Sequence, residues 1–340
     1  MSVVQAVKNY VQKMINESEP GYKIMLMDKE TLYWDAWDVM DYHLETGKLL
    51  NTQDSGQVIT SPVVVSSDSL LAKVQWGVTI SDGSVLTQDI ELTANSPYLT
   101  FNTSVNWQEN RKLLKVMFDT NIFTRNASFD IQFGHLERPN HMNTSWDSAR
   151  YEVVGHKWAD LSETGWGMAV LNNSKYGWYA RGQQMMLSLL KSPKAPDDQA
   201  DMGTHTFKYA IMPHLGTLQE AGVVQRAYEF NNPLRQVQIS STTITSQPTW
   251  TMGNVEGNGA VLHTIKPTED GNGDVLLRMY ECQGAKSEVT VKLSLPISGV
   301  FISDGMENSG EPVNFSQDGG VTAIPLTFSP FAIRALRLTF

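Results

Sequence analysis

The chain is poor in the residues that build covalent or catalytic centres. It has one cysteine, Cys282, in 340 residues. That excludes a disulfide framework within the chain and a cysteine-rich zinc site. The opening stretch Met1–Tyr10 has no apolar run long enough for a signal peptide or a membrane span. The Asn-x-Ser/Thr sequons at Asn16, Asn102, Asn126, Asn143, Asn172 and Asn314 are therefore read as chance, and the expected compartment is cytoplasmic. Basic charge is scarce: 26 Lys and Arg stand against 36 Asp and Glu, a net charge of -10. Nucleic acid and anionic membrane both need a basic face, so neither is an expected partner.

The usual catalytic signatures are absent too. There is no His-x-Asp, no His-Glu-x-x-His, no Gly-x-Ser-x-Gly elbow and no phosphate loop. The seven histidines are scattered, and His135 and His141, six apart, do not have a recognised ligand spacing. Glycosidase chemistry needs two carboxyls about 5–10 Å apart. Sequence alone places no pair at that distance.

What is present is alternation. Leu99, Phe101, Thr103, Val105 and Trp107 alternate with polar residues, as a half-buried strand requires. Leu114, Val116 and Phe118 continue it, and Phe129, Ile131 and Phe133 repeat it around Asp130. Val289, Val291, Leu293 and Leu295, then Leu336, Leu338 and Phe340, do the same near the end. Turn signals such as Asp82-Gly83 and Asp270-Gly271 separate these runs. Many short strands without intervening helices imply antiparallel sandwiches. The one convincing helix is the amphipathic start, residues 1–21, ended by Pro20-Gly21. The expected architecture is mostly β: a large sandwich over 22–232 and a smaller C-terminal β-domain over 233–340. The boundary falls at Asn231-Asn232-Pro233, before a Ser/Thr-rich stretch, Ser240–Pro248.

Nine tryptophans are the other asset, densest at Tyr33-Trp34-Asp35-Ala36-Trp37-Asp38. Indole faces stack on sugar C–H surfaces and carboxylates accept from sugar hydroxyls. Alternation also places Trp34 and Trp37 on opposite faces, so one of them is expected in the core. Polar side chains gather at Phe133–His141 and at Leu171–Gly177, the kind of strand-to-loop junction where binding groups lie.

Several long segments resemble glycoside hydrolase family 38 α-mannosidases, in the branch of cytosolic and vacuolar enzymes. They are YWDAWDVMDYHLET from Tyr33, VNWQENRKLLKVMF from Val105, the stretch Phe129–Gly177, the stretch Leu187–His214, VLHTIKPTEDGNGDVLLRMYE and the ending LTFSPFAIRALRL. The resemblance covers roughly 22–340 and omits the first 20 residues. It implies a galactose-mutarotase-like super-sandwich and a retaining α-mannosidase acting on terminal α-mannosyl residues of oligosaccharides. In the family, zinc polarises the mannose, an aspartate attacks the anomeric carbon and a second carboxylic acid protonates the leaving oxygen. Those groups lie on an N-terminal α/β barrel that has no counterpart in this chain. The resemblance therefore implies the C-terminal β portion of such an enzyme. It would bind no zinc itself, be inactive alone, pack on the barrel and lend loop residues to the rim of the sugar pocket. Asn172, Lys175 and Tyr176 are the first candidates for that rim, and Trp34, Asp35 and Asp38 the second. The alternative is a free-standing carbohydrate-binding or scaffold β-sandwich that has lost the barrel.

Overall fold

A computed structural model describes residues 9, 21–28, 35–52, 56–238 and 250–340. Apart from residues 9 and 21, the helix read over 1–21 lies outside the described residues, as do the Trp34 candidate and the whole of the Ser/Thr-rich stretch Ser240–Pro248. The described chain is mostly β and forms two compact units. One draws on Met1–Asp130 and Glu137–Asn232, the other on Ile131–Leu136 and Pro233–Phe340.

The larger unit is a sandwich of two antiparallel sheets. The six-stranded sheet runs, in spatial order, Val153–Val154, Gly177–Arg181, Gln184–Lys191, Lys112–Asp119, Tyr22–Asp28 and Lys48–Leu49. The nine-stranded sheet runs Ile59–Ser67, Leu71–Ser81, Ser84–Thr93, Leu99–Trp107, Gly203–Leu215, Trp166–Asn172, Trp158–Glu163, Asn126–Ile131 and Gly134–Pro139. Inward residues of both sheets form one core. Ile24, Leu114, Val116 and Leu187 come from the first sheet; Trp76, Phe101, Val105 and Trp107 come from the second. The alternation read over Leu99–Trp107 coincides with one of these strands, with Phe101, Val105 and Trp107 inward.

A polar knot sits inside this apolar core. Gln88 is completely buried. Its Oε1 accepts from the Tyr22 hydroxyl at 3.0 Å and from Trp76 Nε1 at 3.1 Å. Its Nε2 donates to Thr103 Oγ1 at 2.9 Å and to the Tyr209 hydroxyl at 2.8 Å. The two tyrosine hydroxyls lie 2.6 Å apart. All four hydrogen-bonding positions of the amide are filled, so its burial carries no unmade bond. Tyr22 belongs to the six-stranded sheet and the other four residues to the nine-stranded sheet, so the knot ties one sheet to the other. The Phe101 ring stacks on both tyrosines, 4.9 Å from Tyr22 and 5.2 Å from Tyr209 between centroids. Burial pushes the Tyr209 hydroxyl up to about 12.

Two helices interrupt the β pattern where the sequence reading had none. Ser145–Ser148 is a single turn closed by a capping box between Thr144 and Asp147. Val223–Asn231 buries Val223, Val224, Ala227 and Phe230. These apolar positions do follow helical spacing, but the segment is short, and its end coincides with the Asn-Asn-Pro sequence taken as a domain boundary.

The outer face of the six-stranded sheet carries a second, methionine-rich cluster of Met27, Leu113, Met117 and Met186. Lys115, fully buried on the same sheet, is paired with Glu152, whose other oxygen accepts from Ser188. His43 is buried nearby with its Nδ1 2.5 Å from the Met40 carbonyl oxygen. Burial, helped by Lys115, lowers its pKa, while Met40, Glu152 and Asp41 oppose the shift.

The smaller unit packs a four-stranded sheet against a five-stranded one. Val289, Val291, Ile324 and Phe328 from the first meet Leu277, Met279, Leu336 and Leu338 from the second. Arg337 binds Asp270 and Asp274, each at 2.6 Å, holding the turn read at Asp270-Gly271. With Thr268 as the larger cause and Arg337 second, these bonds bring Asp270 down to about 2.

Two outcomes follow. Replacing Gln88 by Leu removes the amide's bonds to four buried side chains, leaving Trp76 Nε1 without its acceptor and the two tyrosine hydroxyls with each other, so stability falls by about 3 kcal/mol and the melting temperature by roughly 10 °C. A loss under about 1 kcal/mol would show that the knot does not stabilise the fold. His43 resists protonation in the folded state, whereas the unfolded chain takes up the proton below its ordinary 6.5. Its contribution is therefore complete above that pH and is lost as the pH falls through the folded value. Urea titrations between about pH 7.5 and 5.5 should show a shallower acid-side decline in His43→Gln than in the parent.

Candidate functional site

The first rim candidates form the loop between the Trp166–Asn172 and Gly177–Arg181 strands. Asn172 ends its strand and is buried. Its Oδ1 accepts from the backbone N–H of Ser174 at 3.0 Å and of Lys175 at 2.6 Å. That is the Asn turn geometry that reverses a chain locally. Its Nδ2 donates to the His156 carbonyl at 2.6 Å. Asn172 thus shapes the loop from below, with its amide engaged by backbone.

The next residue fastens the loop to the neighbouring Gly203–Leu215 strand. The Asn173 N–H donates to the Lys208 carbonyl at 3.2 Å, and Asn173 Oδ1 accepts from the Lys208 N–H at 3.0 Å. From the other side Asn231, last residue of the Val223–Asn231 helix, donates from Nδ2 to the Asn172 carbonyl at 3.0 Å.

These elements enclose a cavity of about 230 Å³ lined by His156, Lys157, Asn172, Asn173, Ser174, Tyr176 and Asn231. Tyr176 is 56% exposed, with its ring edge-on to His156 at 5.2 Å. Lys157 Nζ donates to the buried Asp130 at 2.8 Å and lies 5.0 Å from the centre of the Tyr228 ring. The cavity therefore offers an exposed aromatic surface beside amide, hydroxyl and imidazole groups, which suits a neutral polyhydroxylated ligand.

Lys175 does not line this cavity. Its Nζ lies 4.4 Å from the centre of the Phe207 ring, and burial lowers its pKa against the pull of Asp201. Asp35 and Asp38 lie on a different loop. Asp35 is buried and its Oδ2 accepts from the Lys194 N–H at 2.7 Å. Asp38 is exposed and its Oδ1 accepts from the N–H of Val39 at 2.9 Å. Lys191 Nζ reaches the carbonyls of Ala36 and Asp38 at 2.9 and 3.3 Å, so this loop is fastened to residues 191–195. Trp37, beside them, is 67% exposed. Neither carboxylate lines the cavity at Asn172.

Sequence reasoning missed His156, Lys157 and Asn231. The Asn231-Asn232 pair was visible, but only as a boundary. His156 and Lys157 carry no local signal, because the cavity draws on strands and a helix far apart in the chain.

One cluster has the residue types of a nucleophilic site. Ser162 Oγ donates to Asp160 Oδ1 at 2.5 Å, and His214 Nε2 lies 2.8 Å from Asp160 Oδ2. The carboxylate stands between hydroxyl and imidazole, so the histidine is not placed to take the serine proton. Asp160 and His214 are both buried. Nor do three His, Cys, Asp or Glu side chains gather to hold a metal among the described residues. The zinc implied by the resemblance finds no ligand set there.

Paired antiparallel sheets with a polar, aromatic-edged cavity define a β-sandwich protein. Comparison with known proteins makes the assignment specific. Residues 4–199 match the glycosyl hydrolases family 38 C-terminal domain, and residues 259–336 match the glycosyl hydrolases family 38 C-terminal beta sandwich domain. The chain belongs to glycosyl hydrolase family 38, as its C-terminal region. It is 44% identical over 331 residues to Alpha-mannosidase 2C1 of Mus musculus, covering 96% of this chain and 31% of that protein. It thus spans about a third of that relative's length. A 31-residue stretch, 9% of the chain, is 64% identical to Vacuolar protein sorting-associated protein 45 of Homo sapiens, too little to describe the rest. An alpha-mannosidase crystal structure from Enterococcus faecalis superposes with a TM-score of 0.75 at 13% identity, over 93% of this chain and 38% of that one, which shows a shared fold. No helix among the described residues is long and apolar enough to cross a membrane.

The loop makes its own test. Asn172→Ala removes the acceptor for two N–H groups and the donor to His156, and should cost about 2–3 kcal/mol in urea denaturation. The Ser174 and Lys175 amides should then lose protection from hydrogen exchange. Asn172→Asp keeps the acceptor, so those amides should stay protected. Equal exposure in both variants would contradict the role given to Oδ1.

Proposed function

We propose that this chain is the C-terminal β portion of an α-mannosidase that removes terminal α-mannosyl residues from oligosaccharides. The observation that carries the reading is the pair of family 38 C-terminal matches on a chain that spans 31% of its mouse relative. In this reading the nucleophile, the acid and the zinc belong to a preceding catalytic region, and the chain alone is inactive. Residues 22–232 form the large domain that buttresses that region, and residues 233–340 form a smaller β-domain.

The cavity at Asn172–Tyr176 supports a place for the loop at the rim of the sugar site. Tyr176 contributes an exposed ring, while Ser174 and Asn173 contribute hydrogen-bonding groups and Asn172 holds them in place. Lys175 acts on the loop's other side through Phe207. Asp35 and Asp38 serve the neighbouring 191–195 segment, and Trp37 is the exposed aromatic residue of that loop. The substrate is a neutral glycan, and the compartment is the cytoplasm or, as in the vacuolar branch of the family, a degradative organelle.

The test is an assay on an aryl α-mannoside with added zinc. The chain alone should show no turnover, and co-expression with the catalytic region of the mouse relative should yield a co-purifying, active complex. Tyr176→Ala in that complex should raise KM more than it lowers kcat, as expected of a rim contact. Turnover by the chain alone, or a catalytic region fully active without it, would overturn the reading.

A further inference from the structure

The outward face of the nine-stranded sheet holds a second concavity, of about 410 Å³. Strand registers arrange its floor in two rows. Gln75 lies opposite Asp89, Asp89 opposite Asn102 and Asn102 opposite Lys208. One step along, Thr87 lies opposite Ser104 and Ser104 opposite Thr206. Both rows face outward because the intervening Gln88, Phe101, Thr103, Val105 and Phe207 face the core. A polar outer face is ordinary for an antiparallel sheet. Three further features distinguish this one.

First, its charges are already engaged. Asp89 accepts from Gln75 at 2.7 Å and pairs with Lys73 at 2.7 Å. Lys208 Nζ donates to the Phe230 carbonyl at 2.8 Å and sits 4.3 Å from the centre of that ring. The Asp89 charge is met by Lys73 and the Lys208 ammonium is turned toward the Phe230 carbonyl and ring, so the rows are made up mostly of neutral groups. Second, the side chains left without hydrogen bonds are Asn102, Thr87, Ser104 and Thr206. All are neutral, and each can donate and accept. Sugar hydroxyls have that same dual character. The four strands span about 14 Å, room for more than one ring. The one aromatic lining residue, Phe207, is buried, so recognition rests on hydrogen bonds and is weak. Third, the upper row continues into the loop cavity. Asn173 is bonded to Lys208 and lines both concavities.

We propose that this face is a second glycan-binding site, which holds a neutral oligosaccharide chain across the strands of Gln75, Asp89, Asn102 and Lys208. That the glycan contains mannose rests on the function proposed above; the platform itself asks only for a neutral polyol.

The test is saturation-transfer NMR on the full chain with an α-linked mannotriose, with maltotriose and inorganic phosphate as further probes. Mannotriose should bind at millimolar concentration and phosphate should not. Asn102→Leu and the near-isosteric Thr206→Val should each weaken mannotriose at least about tenfold, with thermal melts unchanged as the check on folding. Tyr176→Ala should leave unchanged the part of the binding that depends on Asn102 and Thr206. Equal binding of maltotriose upholds the platform and fails the mannose assignment alone. Binding lost only in Tyr176→Ala overturns the platform while leaving the rim reading standing. No binding of either sugar, or binding indifferent to Asn102 and Thr206, also overturns it.

Discussion

The structure of the large domain depends on one buried amide. Gln88 stands in an apolar core where an unmet polar group costs roughly 1–3 kcal/mol, and it is kept there by bonds to four side chains. Apolar packing tolerates sliding, whereas a two-donor, two-acceptor group does not. A one-residue slip of any participating strand would turn its knot residue to the opposite face. The knot thus selects one register for strands of both sheets.

That register reaches the surface through one strand. In Gly203–Leu215, Tyr209 points inward to the knot, while Thr206 and Lys208 belong to the outward rows. Tyr209 is also the cross-strand partner of Asn172, the residue that shapes the candidate loop. Core, loop and outer face are therefore positioned by neighbouring residues of a single rigid element. Binding groups placed at such strand ends inherit the precision of the core.

Much of the fold was legible because burial on one face imposes a period of two, and runs such as Leu99–Trp107 and Val289–Leu293 show it plainly. The Val223–Asn231 helix was missed because nine residues offer too few turns to stand out beside Asn-Asn-Pro. The tryptophan-rich segment was legible as a marked place, but not in its detail. Asp35 meets its partner Lys194 across 159 residues, and no local pattern carries such a contact. Asn172 was legible as a junction residue, yet its amide turned out to shape the loop from inside. Gln88 carried no signal at all, since a single glutamine at an inward position reads as an imperfection until its partners are in place.

If the knot binds the sheets together, neither can open without the other. Native-state hydrogen exchange is the direct measurement. The amides of Gly203–Leu215 in one sheet and of Lys112–Asp119 in the other should exchange only through global unfolding, with one shared free energy and one shared denaturant dependence. Two separate opening free energies, with one sheet exchanging while the other stays protected, would contradict the account.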